Sequence, residues 1–114
     1  MSGQTYYGKS VIITGASSGI GMELAKQLAA QGASLTLAAR NIEKLNELVV
    51  LCQTLGGNAI AVQTDVSNAD QCKRLIENAV QEYGRIDLLI NNAGITMWAL
   101  LEEITDLSIF EKVS

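Results

Sequence analysis

With 114 residues and 48% hydrophobic side chains, the chain carries enough apolar material for one small globular core and is too short for two domains of ordinary size. Twelve acidic against eight basic residues give a net charge of -4, which offers no basic stripe for nucleic acid and no attraction to an anionic membrane surface. Two cysteines outside any Cys-x-x-Cys spacing, together with no histidine, exclude a thiolate–imidazole metal site and a cysteine–histidine nucleophile. No stretch approaches the roughly 18 apolar residues of a spanning helix and the first ten residues lack a signal-peptide core, so the cytosol is the default location.

In chain order, short apolar runs alternate with segments of helical period. Val11 to Thr14 predicts a first strand, broken at Gly15 and followed by a helix with Ile20, Leu24, Ala25 and Leu28 on one face, ending at Gly32. Ser34 to Ala39 predicts a second strand. Its helix carries Ile42, Leu45, Leu48, Val49, Cys52 and Leu55 at spacings of three or four and stops at Gly56-Gly57. A third strand from about Ala59 to Gln63 leads through Thr64-Asp65-Val66 to a predicted helix cap at Ser67, with Asp70 three residues on as in a capping box. The helix that follows places Cys72, Leu75, Ile76, Ala79, Val80 and Tyr83 on one side and ends at Gly84, and Ile86 to Ile90 predicts the fourth strand. After Asn91-Asn92-Ala93-Gly94 the pattern is less regular until Thr105, which reads as the cap of one more helix. Repeated strand–helix units feed a parallel sheet, so the fold class is α/β; a Rossmann-like doubly wound sheet places its first four strands in the order 3-2-1-4.

Thr14 to Gly21 reads TGASSGIG, at the end of a strand and the start of a helix. Glycines there let the backbone bend tightly and approach a pyrophosphate, while the free N–H groups and the positive helix end attract its charge. The candidate binding residues are Gly15, Ser17, Ser18, Gly19, Ile20 and Gly21. The end of the second strand selects among dinucleotides, because an acidic residue there accepts the ribose hydroxyls of NAD and repels an added phosphate. This chain instead has Ala39 followed by Arg40. A guanidinium can take a phosphate by two parallel charge-assisted bonds, which points to NADP(H) in preference to NAD(H), although a solvated arginine at a helix start has the same letters.

TGASSGIG resembles the TGxxxGxG motif of the commonest subtype of the short-chain dehydrogenase/reductase family, and NNAG at Asn91 to Gly94 resembles that subtype's second signature. The similarity extends over essentially the whole chain. It implies that Asn92, Ala93 and Gly94 border the nicotinamide-side ribose, that Asn91 ties neighbouring strands together, and that Asp65 hydrogen-bonds the adenine while Val66 packs on its ring. Asp65 also suits a plain turn leading into a cap. Met97, Trp98 and Leu100 fit packing better than a substrate entrance, and Glu102-Glu103 fits a solvated surface.

Family members interconvert carbonyls and alcohols using a tyrosine with a lysine four residues on. Four residues after Tyr6, Tyr7 and Tyr83 stand Ser10, Val11 and Asp87, so no such pair occurs in the chain, and the family's serine and catalytic asparagine would fall beyond Ser114. The resemblance therefore implies an N-terminal part, residues 1–114, of a single cofactor-binding domain whose parent is an NADP(H)-dependent oxidoreductase of a small carbonyl or alcohol substrate and a homo-oligomer. The alternative is a non-catalytic nucleotide-binding or assembly module formed by a short chain. Intact-mass measurement on the natural protein separates them: 12.2 kDa supports the module, and a substantially larger mass supports the enzyme.

Overall fold

The computed structural model describes residues 6–92. Strands and helices alternate along them as β1 (Ser10–Thr14), α1 (Gly19–Ala30), β2 (Ser34–Ala39), α2 (Ile42–Thr54), β3 (Asn58–Gln63), α3 (Ala69–Tyr83) and β4 (Leu88–Asn91). Every strand pair is parallel and the sheet order is β3-β2-β1-β4, so the fold is the Rossmann-like α/β arrangement expected. The expected features at Ala93, Gly94, Met97, Trp98, Leu100, Glu102-Glu103 and Thr105 lie outside the described residues.

β1 is the spine of the sheet. Val11 stands opposite Leu35 of β2 on one side and opposite Leu88 of β4 on the other, and Thr14 opposite Ala38 and Asn91. Because helices cover both faces, β1 and β2 are buried along their whole lengths, the alternate polar residues Ser34 and Thr36 of β2 included. Helices α1 and α2 pack on one face, where Ala25, Leu28, Leu45, Leu48 and Cys52 meet Val11, Ile13, Leu35 and Leu37. Helix α3 covers the other, setting Cys72, Leu75, Ile76 and Ala79 against Ile12, Ala38 and Leu89. Each fully buried leucine or isoleucine contributes about 1.5 to 3 kcal/mol, and both faces are needed to offset the ordering of seven elements.

Three local expectations are corrected. The cap of α3 is Asn68, whose side chain accepts from the Gln71 N–H at 3.0 Å, and not Ser67. Ser67 is engaged one turn earlier, where its hydroxyl and N–H both donate to Asp65 Oδ1, a local side-chain turn that competes with capping. Leu55 leaves the apolar stripe of α2 and is 40% exposed, since the helix ends at Thr54 and the chain turns away at the following glycines. β4 begins at Leu88; Ile86 packs against the core under α3, and Asp87 is drawn off to receive the Ser10 N–H at 2.8 Å. Tyr83 is half-buried, donates its hydroxyl to the Leu35 carbonyl at 3.1 Å, and has its pKa pushed up to about 12, chiefly by burial and then by the Glu82 charge.

Cys52 and Cys72 are both fully buried, on opposite faces of the sheet. They are free thiols, and burial pushes Cys52 up to about 11, the Lys26 charge opposing, and raises Cys72 with help from the Asp65 charge. A thiol reagent at neutral pH is expected to find both cysteines only after denaturation, and reduction should leave the mobility of the folded protein unchanged; fast reaction of either in the native state would contradict the packing.

Candidate functional site

The site forms where β1 ends, at the switch point between β2 on one side and β4 on the other. Thr14 is the last residue of β1 and is fully buried. Its hydroxyl donates to Asn91 Oδ1 at 2.8 Å and accepts the Asn92 N–H at 3.0 Å, so one side chain fastens the start of the glycine turn to the end of β4. The expected tying role of Asn91 thus has a named partner. Thr14 itself was given no role from the sequence, although it is the first letter of the TGASSGIG motif; a hydroxyl at the end of an otherwise apolar strand is the signal that could have marked it.

Gly15 follows with φ +64, a left-handed conformation, and a Cβ there would stand 3.0 Å from Asn92 Cβ. Gly21, in the first turn of α1, lies closer still: a Cβ would fall inside the Gly15 carbonyl oxygen and 2.6 Å from Asn92 Nδ2. Glycine at position 21 therefore lets α1 sit directly on the turn, and the Ala16 N–H anchors that turn to the Ala38 carbonyl of β2 at 3.1 Å. Ser18, Gly19 and Ile20 are exposed at the mouth, with Ile20 72% exposed despite its apolar side chain.

The start of α1 differs from those of its neighbours. Asn41 and Asn68 cap α2 and α3 through their side chains, whereas Ser18 caps α1 with extended backbone and makes no side-chain bond to the helix. The first N–H groups of a helix have no internal acceptor, so this end is open to an acceptor from outside the helix. A turn with no room for a Cβ at position 21, an uncapped helix start and an exposed isoleucine are features that could hold the pyrophosphate of a dinucleotide.

From the turn a cleft of about 440 Å³ runs across the sheet end, between Gly15 and Ser17, the Ala39–Asn41 segment, and the Thr64–Ser67 loop. Gly15, Ser17, Arg40, Asp65 and Val66, separate in sequence, are thereby brought to one cavity. Asp65 is held below the ordinary carboxylate range, first by the Ser67 hydroxyl at 2.6 Å and then by the Ser67 N–H, burial opposing and the Arg40 charge adding least. Two contacts not foreseen from the sequence shape the rim: Asn41 accepts the Lys44 N–H at 3.1 Å, and Gln63 Nε2 donates to the Arg40 carbonyl at 2.9 Å, binding the end of β3 to the segment after β2. An asparagine ahead of an apolar helical run was a readable cap signal; the Gln63 contact crosses between strands and has no local signature. Ala93 and Gly94 lie outside the described residues, so of that signature the structure places Asn91 and Asn92.

Replacing Thr14 by valine keeps the shape and removes both part-buried bonds, leaving the Asn92 N–H without this acceptor. A destabilisation of about 1 to 3 kcal/mol is expected in chemical denaturation, with most of it recovered by Thr14→Ser; an unchanged midpoint for Thr14→Val would remove the bridge from its structural role.

Comparison with known proteins agrees with this geometry. The sequence profile of the short chain dehydrogenase family matches residues 9–114. The chain is 43% identical over 106 residues to 11-beta-hydroxysteroid dehydrogenase 1A of Arabidopsis thaliana, covering 92% of this chain and 30% of that enzyme. Among solved structures, a hydroxysteroid dehydrogenase from Escherichia coli superposes with a TM-score of 0.77 at 38% identity, over 82% of this chain and 40% of the other. A metagenomic short-chain oxidoreductase solved with NADP gives 0.74 at 36% identity, over 79% of this chain and 41% of that one, and other similar structures were solved with NAD. The match therefore spans well under half of these relatives, and across that span the parallel sheet, the TGASSGIG turn and the residues at the end of β4 make this chain a member of the short chain dehydrogenase family.

Proposed function

We propose that the parent protein is an NADP(H)-dependent oxidoreductase that interconverts an alcohol and a ketone, and that residues 1–114 supply the N-terminal, cofactor-binding part of a single domain. The observation that carries the cofactor choice is the end of β2, where Ala39 and Arg40 border the cleft and no carboxylate stands to accept ribose hydroxyls. Among the described residues Arg40 makes no ion pair within 4 Å, so its guanidinium is available to a phosphate.

The bound cofactor would supply the hydride. The chain's own residues bind and orient it. Gly15, Gly19 and Gly21 admit the pyrophosphate to the backbone, and the Ser17 and Ser18 hydroxyls are placed to donate to it. Ile20, exposed at the mouth, would cover it from solvent. Asp65, kept ionised by Ser67, would accept from the adenine amino group, and Val66 would pack on the ring. Asn92, steadied by the Thr14 hydroxyl, would border the nicotinamide-side ribose together with Ala93 and Gly94.

The proton donor and the substrate pocket are assigned to the remainder of the parent, where a homo-oligomeric interface is also proposed. The names of the relatives make hydroxysteroids and ketosteroids the first substrates to assay, ahead of smaller ketones. Among the described residues no helix is long and apolar enough to cross a membrane.

A preference for NADPH over NADH is expected, set by charge-assisted bonds at Arg40 contributing about 1.5 to 3 kcal/mol, or about 10- to 150-fold in affinity. Titration of the parent enzyme with both cofactors checks it. Arg40→Ala should erase most of the difference by weakening NADPH alone, and an unchanged preference in that variant would remove Arg40 from the site.

A further inference from the structure

Beyond Arg40 the cleft continues into a second cavity of about 260 Å³, between the ends of β2 and β3 and helix α3. The two cavities share Arg40 and Asp65, and the second adds Gln63, Gln71 and Arg74. With two arginines against one carboxylate, the cavity carries an excess of positive charge. Its one carboxylate, Asp65, already accepts both the hydroxyl and the N–H of Ser67. Neither Arg40 nor Arg74 takes part in an ion pair within 4 Å among the described residues. The surrounding contacts hold the two elements that carry the arginines: Gln63 Nε2 donates to the Arg40 carbonyl at 2.9 Å, and Gln71 Oε1 accepts the Asp65 N–H at 2.8 Å.

The Gln71 contact also fixes which face of α3 meets the cleft. Arg74 lies three residues further along α3, on the same face, and so borders the cavity from the helix side while Arg40 borders it from the end of β2. Two like charges beside one cavity repel in the empty protein, and an anion carrying close to two negative charges between them relieves that repulsion.

We propose that Arg74 is a second specificity-determining cation of the nucleotide site, which with Arg40 receives the 2'-phosphate of NADP. The proposal rests on the NADP reading above and extends it to a residue on a different element, 34 positions further along the chain. Arg74 is exposed, so its share is smaller than that of Arg40 and is more readily screened by salt.

The test uses binding and not turnover. Adenosine 2',5'-bisphosphate and adenosine 5'-monophosphate are titrated calorimetrically into the intact protein, wild type and the variants Arg74→Gln, Arg74→Lys and Arg40→Ala, at low and at physiological salt. Glutamine has a helix propensity close to that of arginine, and an unchanged melting temperature confirms that α3 is intact. The expected result is a loss of about three- to fivefold in affinity for the bisphosphate in Arg74→Gln, an unchanged affinity for the monophosphate, partial recovery in Arg74→Lys, and a weaker salt dependence. Equal losses for both nucleotides, or none for either, would overturn the role of Arg74. If Arg40→Ala loses its discrimination while Arg74→Gln keeps the wild-type ratio, this inference alone fails. If Arg40→Ala leaves the ratio unchanged, the NADP reading fails and takes the role of Arg74 with it.

Discussion

The closeness of α1 to the end of β1 governs the rest of this structure. Gly21 packs against the Gly15 carbonyl and the Asn92 side chain with no room for a single added carbon. That contact sets the angle at which α1 leaves the sheet, and so where Ala25, Leu28 and Ala29 meet β1 and β2. It also leaves the first turn of α1 open beside the strand ends, with Ser18 making no side-chain cap. Packing and binding geometry thus share one cause. A side chain at position 21 would lift the helix from the sheet and move its free N–H groups away from the cleft.

The Thr14 hydroxyl performs the matching task on the other side of β1. The strand order reverses at this point, with β2 on one side of β1 and β4 on the other. Donating to Asn91 Oδ1 and accepting from the Asn92 N–H, Thr14 ties the end of β1 to the end of β4. Its burial makes both bonds costly to lose, since a group shut off from water has no alternative partner. The asparagine signature at the end of β4 is then held by the same residue that opens the glycine motif.

At the opposite end of the cleft, electrostatics replaces close packing. Asp65 is hydrogen-bonded to Ser67, and Gln63 and Gln71 use their amides to pin backbone groups, leaving the guanidiniums of Arg40 and Arg74 outside any ion pair within 4 Å among the described residues. A chain with an overall charge of -4 thus holds a local cationic corner. Net charge alone excludes broad anionic surfaces as partners and says nothing about a single phosphate, because the field of two nearby arginines dominates over such short distances.

The alternation of elements and the parallel sheet are legible in the sequence, because buried parallel strands and amphipathic helices write different periods into the chain, whereas the strand order came with the family resemblance. The sequence by itself also determined the glycine turn, since only glycine suits the left-handed conformation of Gly15 and the contact at Gly21. Local competition blurred the details: Ser67 and Asn68 are both good caps, and which one serves depends on whether Asp65 engages Ser67 first. Tertiary structure alone decided which polar side chains work together. Thr14 meets Asn91 77 residues away, and Gln63 reaches the Arg40 carbonyl across 23. Arg74 meets the cavity of Arg40 only because α3 folds back beside the end of β3. Such pairs leave no periodic trace in a single sequence, since each requires one polar residue at a point that the fold brings near another.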